Sequence, residues 1–251
     1  MSFALETRGL QKQFGGLKVT RDLSLAIEQG ARHAVIGPNG AGKTTVINLL
    51  TGVLKPNAGR ILLEGNDITD LPVHRRVLRG LSRTFQINQL YADLTPLETI
   101  GLVVSERLGR GSDWWRRMGT RDDVNAEISE NLSRFHLLDV MNEPTATLPY
   151  GKQRLLEIAV AIAAKPRVLL LDEPAAGVPE GERHDILAAV AALPRDVTVL
   201  LIEHDMDLVF SFADRISVLV GGALLVEGPP GEVARDPRVK AVYLGEAADV
   251  T

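Results

Sequence analysis

Residues 37–45, GPNGAGKTT, bring three glycines, a lysine and two hydroxyls together in the pattern G-x-x-x-x-G-K-[ST]. The string lies between an apolar run, Ala34-Val35-Ile36, and a helical pattern, Val46-Ile47-Asn48-Leu49-Leu50. Strand before and helix after is the context in which such a loop holds phosphate. Gly37, Gly40 and Gly42 let the main chain turn its N–H groups inward around an anion, and the following helix aims its positive end at the same point. Pro38, Asn39 and Ala41 complete the loop. Lys43 adds a point charge for the outer phosphates, and Thr44, followed by Thr45, has the hydroxyl to ligate Mg²⁺. A nucleoside triphosphate is the implied ligand.

A second group lies far downstream. Val168-Leu169-Leu170-Leu171, bounded by Pro166 and Pro174, reads as a central parallel strand. It delivers Asp172 and Glu173 at its carboxyl end, where open α/β sheets bind ligands. There Asp172 would hold Mg²⁺, directly or through a water, and Glu173 would orient and deprotonate an attacking water. Adjacent carboxylates at a strand end often only cap the next helix; the phosphate loop upstream gives the catalytic reading its weight. The next apolar strand, residues 197–202, ends on Glu203-His204-Asp205, which places His204 to donate a hydrogen bond to a γ-phosphate. Phe14, on the turn Phe14-Gly15-Gly16, is either a hairpin-packing ring or a platform for adenine, and the phosphate loop favours the platform.

The elements that must carry these groups follow from the pattern. Residues 4–30 read as an antiparallel ribbon leading into the loop, with Asp22 to Glu28 alternating as a half-buried strand. Residues 60–63 form a short strand, and 72–80 a basic helical stretch whose Arg75, Arg76 and Arg79 are expected on a solvated face. Residues 81–86 are strand-like and end on Gln86, which by itself says nothing. Thr95-Pro96-Leu97-Glu98 is a capped helix start. Beyond residue 107 comes a Gly-rich basic linker with Trp114-Trp115 beside Arg116-Arg117, read as a partner or membrane-surface contact. A helix follows with Val124, Ile128, Leu132 and Phe135 on one face. Gly151 opens another, with the stripe Leu155, Ile158, Ala159, Ile162 and Ala163, which stops before Lys165-Pro166. Residues 87–165 are thus expected as a helical subdomain inserted in a nucleotide-binding core of residues 1–86 and 166–251.

Length and composition narrow the classes. The 251 residues suffice for one substantial core with a smaller subdomain. A net charge of −4 argues against tracking nucleic acid by bulk charge. With no cysteine there are no disulfides, thiolate metal sites or thiol nucleophiles, and any metal must be held through oxygen. The N-terminal residues do not read as a signal peptide, and no apolar run is long enough to span a bilayer.

Taken together, Phe14, GPNGAGKTT, Thr84-Phe85-Gln86, the LPYGKQ segment of residues 148–153, LLLDEP and Ile202-Glu203-His204-Asp205 resemble the ATP-binding subunit of an ABC transporter, over nearly the whole chain. Tyr150-Gly151, Asp172-Glu173-Pro174-Ala175-Ala176-Gly177 and Val242-Tyr243-Leu244-Gly245 look most like importers of branched-chain amino acids and related solutes. The resemblance implies an α/β phosphate-loop NTPase core of the RecA-like kind, with an N-terminal antiparallel β subdomain and an inserted α-helical one. It implies ATP and Mg²⁺, a second ATPase subunit as homo- or heterodimer, membrane-spanning permease subunits, an external solute-binding protein, no nucleic acid, and a place on the cytoplasmic face of the membrane. It assigns Gln86 to Mg²⁺ or the attacking water and to coupling with the permease. Pro149, Tyr150, Gly151, Lys152 and Gln153 become a signature segment acting in trans on ATP held by the partner's phosphate loop.

Two residues depart from the family pattern. The usual LSGGQ reads LPYGK, so the serine for the γ-phosphate is Pro149, with neither hydroxyl nor N–H. The aspartate usual in the loop that crosses the dimer is Pro179. Pairing with a different ATPase subunit is the expectation, with the composite site built on this chain's phosphate loop the stronger one. The competing classes are a stand-alone ABC-type ATPase acting on nucleic acid or ribosomes, and a phosphate-loop kinase or GTPase. The first lacks here its coiled-coil inserts, zinc modules or fused cassettes; the second lacks a guanine-reading Asn/Thr-Lys-x-Asp segment.

Overall fold

The computed structural model describes residues 2–84, 90–109 and 122–248; Gln86 and the Trp114-Trp115 pair lie outside the described residues. The chain divides into two compact units, one of Met1–Arg83, Arg167–Glu173 and Pro194–Thr251, the other of Thr84–Pro166 and Pro174–Leu193.

The first unit holds two sheets. Long strands β1 (Phe3–Phe14) and β2 (Leu17–Glu28) pair antiparallel around the Gly15-Gly16 turn, and with β4 (Ala58–Leu63) and β5 (Asn66–Asp67) give the order β2-β1-β4-β5. The second sheet takes β3 (Arg32–Ile36), β6 (Leu81–Arg83), β7 (Val168–Asp172), β8 (Thr198–Ile202), β9 (Arg215–Val220) and β10 (Ala223–Gly228) in the order β10-β9-β3-β8-β7-β6. All its pairings are parallel except the β9–β10 hairpin. The central strands β3, β7 and β8 are buried at every position, which is why β7 and β8 read as apolar runs, while β3 buries Arg32 and His33 ahead of Ala34-Val35-Ile36. Ile202 pairs with both Val35 and Asp172, so β3, β8 and β7 end level. That register aligns the start of the phosphate loop with the carboxylates and the histidine beyond β8.

One core cluster draws on both sheets and on α1 (Lys43–Thr51): Leu5, Leu23, Ile47, Ile61, Leu170 and Leu200 are among its members. A second packs α7 (Met206–Phe212), α8 (Pro230–Val233) and α9 (Pro237–Ala248) on β3 and β9 through Val209, Val233 and Val239. On α2 (Val73–Val77) the expectation of a solvated arginine face fails for one residue. Arg75 and Arg79 are exposed, but Arg76 is buried. Its guanidinium donates to the carbonyls of Leu49 at 2.7 Å, Leu50 at 2.6 Å, Thr69 at 2.8 Å and Leu71 at 2.9 Å. The last turn of α1 leaves carbonyls without helical partners, and a five-donor fork satisfies several of them at once.

In the second unit four helices, α3 (Pro96–Arg107), α4 (Asp122–Arg134), α5 (Tyr150–Ala163) and α6 (Glu180–Ala191), bury Ile100, Val104, Ile128, Leu132, Ile158, Ile162, Ile186 and Val190. α3 begins in a full capping box: the Glu98 N–H donates to Thr95 Oγ1 at 3.2 Å and the Thr95 N–H to Glu98 Oε2 at 2.9 Å. α5 starts at Tyr150, one residue ahead of Gly151. Residues 174–193 group with these helices because α6 packs along α5.

Candidate functional site

The phosphate loop follows β3 into α1. Gly37 has φ +154°, and a Cβ there would lie 2.2 Å from the Leu219 carbonyl oxygen. Gly42, with φ +95°, caps α1, and its Cβ would meet the Val19 carbonyl at 2.7 Å. Neither place admits a side chain. Neighbouring strands pin the loop, the Gly222 N–H donating to Ala41 O at 3.1 Å and the Arg21 N–H to Gly222 O at 2.7 Å. The first turn of α1 has neither a side-chain cap nor an acidic residue. Lys43 at that end opposes the helix dipole unless an anion sits between them. The Lys43 ammonium donates to Gly37 O and, at 3.0 Å, to Pro38 O. Thr44 is exposed on the first turn.

Facing this loop, Asp172 ends β7 almost fully buried. Its Oδ2 accepts from Arg83 Nη2 at 2.8 Å, while Oδ1 is buried with no hydrogen-bond partner among the described residues. Burial pushes the Asp172 carboxyl above its ordinary range; the Arg83 guanidinium opposes this, nearby Glu173 adds to it, and Lys43 again opposes it. Glu173 takes φ +47° ahead of Pro174, while its N–H continues the ladder to Ile202 O at 2.9 Å. A side chain in the left-handed region carries strain. His204 has a side chain 67% exposed; its Nδ1 lies 3.8 Å from Glu173 Oε1 and 3.6 Å from Glu203 Oε2. Buried Glu203 accepts the His204 N–H at 3.0 Å, and burial raises its pKa.

A carboxylate oxygen unpartnered among the described residues, an exposed threonine and a helix start without a side-chain cap suit Mg²⁺ carrying phosphates. Phe14 stands half-exposed on the β1–β2 hairpin, with the Lys12 ammonium 5.2 Å from the ring centroid. Residues 37–45, Asp172, Glu173 and His204 thus belong to one sheet end. The signature residues lie in the second unit. There Pro149 caps α5, the Gly151 N–H donates to Glu182 Oε2 at 3.1 Å, and the Tyr150 hydroxyl to Ala176 O at 3.3 Å. Lys152 pairs with Asp139 at 3.0 Å, and Gln153 donates to Leu148 O at 2.9 Å. Sequence reasoning gave Arg83, Asn48 and Glu203 no role of their own. Asn48 alone left a trace, as a polar residue interrupting the apolar run of α1.

A parallel sheet carrying a glycine loop, a lysine and a strand-end carboxylate pair at one edge defines a phosphate-loop nucleoside triphosphatase. The sequence matches the ABC transporter family over residues 20–176, and a branched-chain amino acid ATP-binding cassette transporter family over residues 223–249. It is 40% identical to the high-affinity branched-chain amino acid transport ATP-binding protein BraF of Pseudomonas aeruginosa, across 97% of this chain and 98% of that one. LivG of Escherichia coli, described in the same words, is 37% identical with the same coverage. Two solved structures, a nucleotide-free ATP-binding cassette from an ABC transporter and the ADP conformation of such a cassette, align with TM-score 0.81 at 30% identity. They cover 97% and 98% of this chain and 99% of their own. The chain belongs to the ATP-binding subunits of ABC transporters, transport ATPases that hydrolyse ATP. Among its described helices none is long and apolar enough to cross a membrane.

Proposed function

We propose that this chain powers the uptake of branched-chain amino acids or related small solutes, working as one of two ATPase subunits beneath membrane-spanning permease subunits on the cytoplasmic face, with an external solute-binding protein delivering the solute. The observation that carries the mechanism is the lysine-bearing loop faced by Asp172 and Glu173 across one sheet end. Phe14 stacks the adenine, the amides of residues 37–45 cradle the phosphates, and Lys43 transfers its hydrogen bonds from the loop carbonyls to phosphate oxygens. Thr44 and Asp172, with Gln86, would hold a divalent ion such as Mg²⁺, which would supply positive charge to offset that of the phosphates. Glu173 accepts the proton of the attacking water, and His204 donates to the γ-phosphate as negative charge builds. The partner's signature segment closes the site from the other side, and residues 149–153 of this chain do the same for ATP on the partner, the Gly151 N–H at a helix start exchanging Glu182 for phosphate.

Solute choice rests on the names of BraF and LivG and on the match at residues 223–249. The test is phosphate release by the chain assembled with its native membrane partners and binding protein in vesicles. Leucine, isoleucine or valine should each raise turnover several-fold. Stimulation by an unrelated solute and by none of these three would replace the proposed cargo.

A further inference from the structure

Three elements of the first unit meet beside the phosphate loop: β6 ends at Arg83, β7 ends at Asp172, and α1 carries Asn48 one turn beyond Thr44. The Arg83 guanidinium joins them. Nη1 donates to Asn48 Oδ1 at 2.7 Å and Nη2 to Asp172 Oδ2 at 2.8 Å, with the Arg83 side chain 11% exposed and that of Asp172 1% exposed. We propose that Arg83 is a positioning residue for the divalent ion: anchored on Asn48, it fixes the Asp172 carboxylate through Oδ2 and reserves Oδ1 for the ion or its bound water. This rests on the reading of the site as one for Mg²⁺ and ATP.

Two observations support a clamp. A guanidinium meeting a lone carboxylate commonly grips both oxygens with a parallel fork. Here two arms of the fork divide between a neutral amide on the phosphate-loop helix and one oxygen of the carboxylate, so Asn48 holds the group independently of Asp172. In addition, Oδ1 is left buried without a hydrogen-bond partner among the described residues, an arrangement that is costly unless a ligand satisfies it.

The opposite reading makes Arg83 a placeholder that neutralises Asp172 until the cation displaces it. The two readings differ in sign. A clamp strengthens cation binding by orienting a ligand, as groups behind metal ligands do at about 10–100-fold per residue. A placeholder competes with the cation, and its removal tightens binding.

The experiment uses the full chain with Arg83→Met, which keeps much of the stem and loses the charge, and with Arg83→Lys and Asn48→Ala as gentler variants. Mn²⁺ binding to ADP-loaded protein is titrated by the paramagnetic signal of free Mn²⁺, and ADP binding in EDTA by calorimetry. Arg83→Met should weaken Mn²⁺ about 10-fold or more while ADP affinity in EDTA changes less than about two-fold; Asn48→Ala should shift Mn²⁺ in the same direction by less. If Arg83→Met does not fold, the comparison of Arg83→Lys and Asn48→Ala with the unmodified chain decides. Mn²⁺ binding that is tighter or unchanged overturns the clamp, as does an equal loss of ADP affinity in EDTA, which marks a merely structural role. An unmodified chain that binds no ADP would instead overturn the nucleotide reading beneath it.

Discussion

Glu173 is held at φ +47° between a ladder hydrogen bond and a proline. A non-glycine residue there costs about 1–3 kcal/mol, so its geometry trades stability for position. Glu173→Gly should therefore raise resistance to urea by about 1 kcal/mol while turnover is lost; a destabilised Glu173→Gly chain would mean that the carboxylate holds the fold. His33 is a second single-residue case. Fully buried on β3, it shares a 2.8 Å hydrogen bond between Nε2 and Ser217 Oγ, and burial pushes its pKa down to about 4, with Glu227 pulling up and Arg215 down. An unfolded histidine titrates near 6.5. Between those values the unfolded chain binds the extra proton, so the His33 contribution is whole above about pH 6.5 and fades as pH falls toward 4. Its share should be about 2 kcal/mol by pH 5, read as the difference between urea midpoints at pH 7 and pH 5. A His33→Gln chain should lack that share of the pH dependence; an unchanged dependence would contradict the assignment.

At the scale of elements, what could be read from the sequence was what is local in the chain. The loop 37–45, the capping box at Thr95 and Glu98, and the unbroken apolar runs of β7 and β8 each declare themselves within a few residues. Arg76 and Arg83 did not, because each has partners far along the chain: Leu49 and Leu50 for one, Asn48 and Asp172 for the other. A charge run such as residues 74–79 carries no mark that one of its arginines turns inward. The difference has a measurable consequence. Arg76→Ala strips donors from the carboxyl end of α1 and should cost roughly 3 kcal/mol, whereas Arg75→Ala, on the exposed side, should change stability by less than about 0.5 kcal/mol. Equal effects in thermal melts would return Arg76 to the solvated face. Burial lowers the pKa of the Arg76 guanidinium, consistent with that inward position.

For the whole molecule, the phosphate loop, Asp172, Glu173 and His204 belong to the first unit, and residues 148–153 to the other. Pro149 supplies no hydroxyl to a γ-phosphate, and Pro179 caps α6 without a side-chain hydrogen bond. If the working pair combines this chain with a different ATPase subunit, Glu173→Gln here should abolish nearly all turnover of the pair, and the matching change in the partner should leave a substantial fraction. A symmetric ATP-bound homodimer with both sites equally fast would contradict that asymmetry. The most direct measurement is phosphate release from ATP and Mg²⁺ by the assembled complex, unmodified and with Glu173→Gln in this chain, with bound ATP quantified in the same samples. Loss of turnover by about 100-fold or more, with ATP still retained, is the expected result. Hydrolysis persisting within a few-fold of the unmodified complex would show that the carboxylate beyond β7 is not the group that activates water.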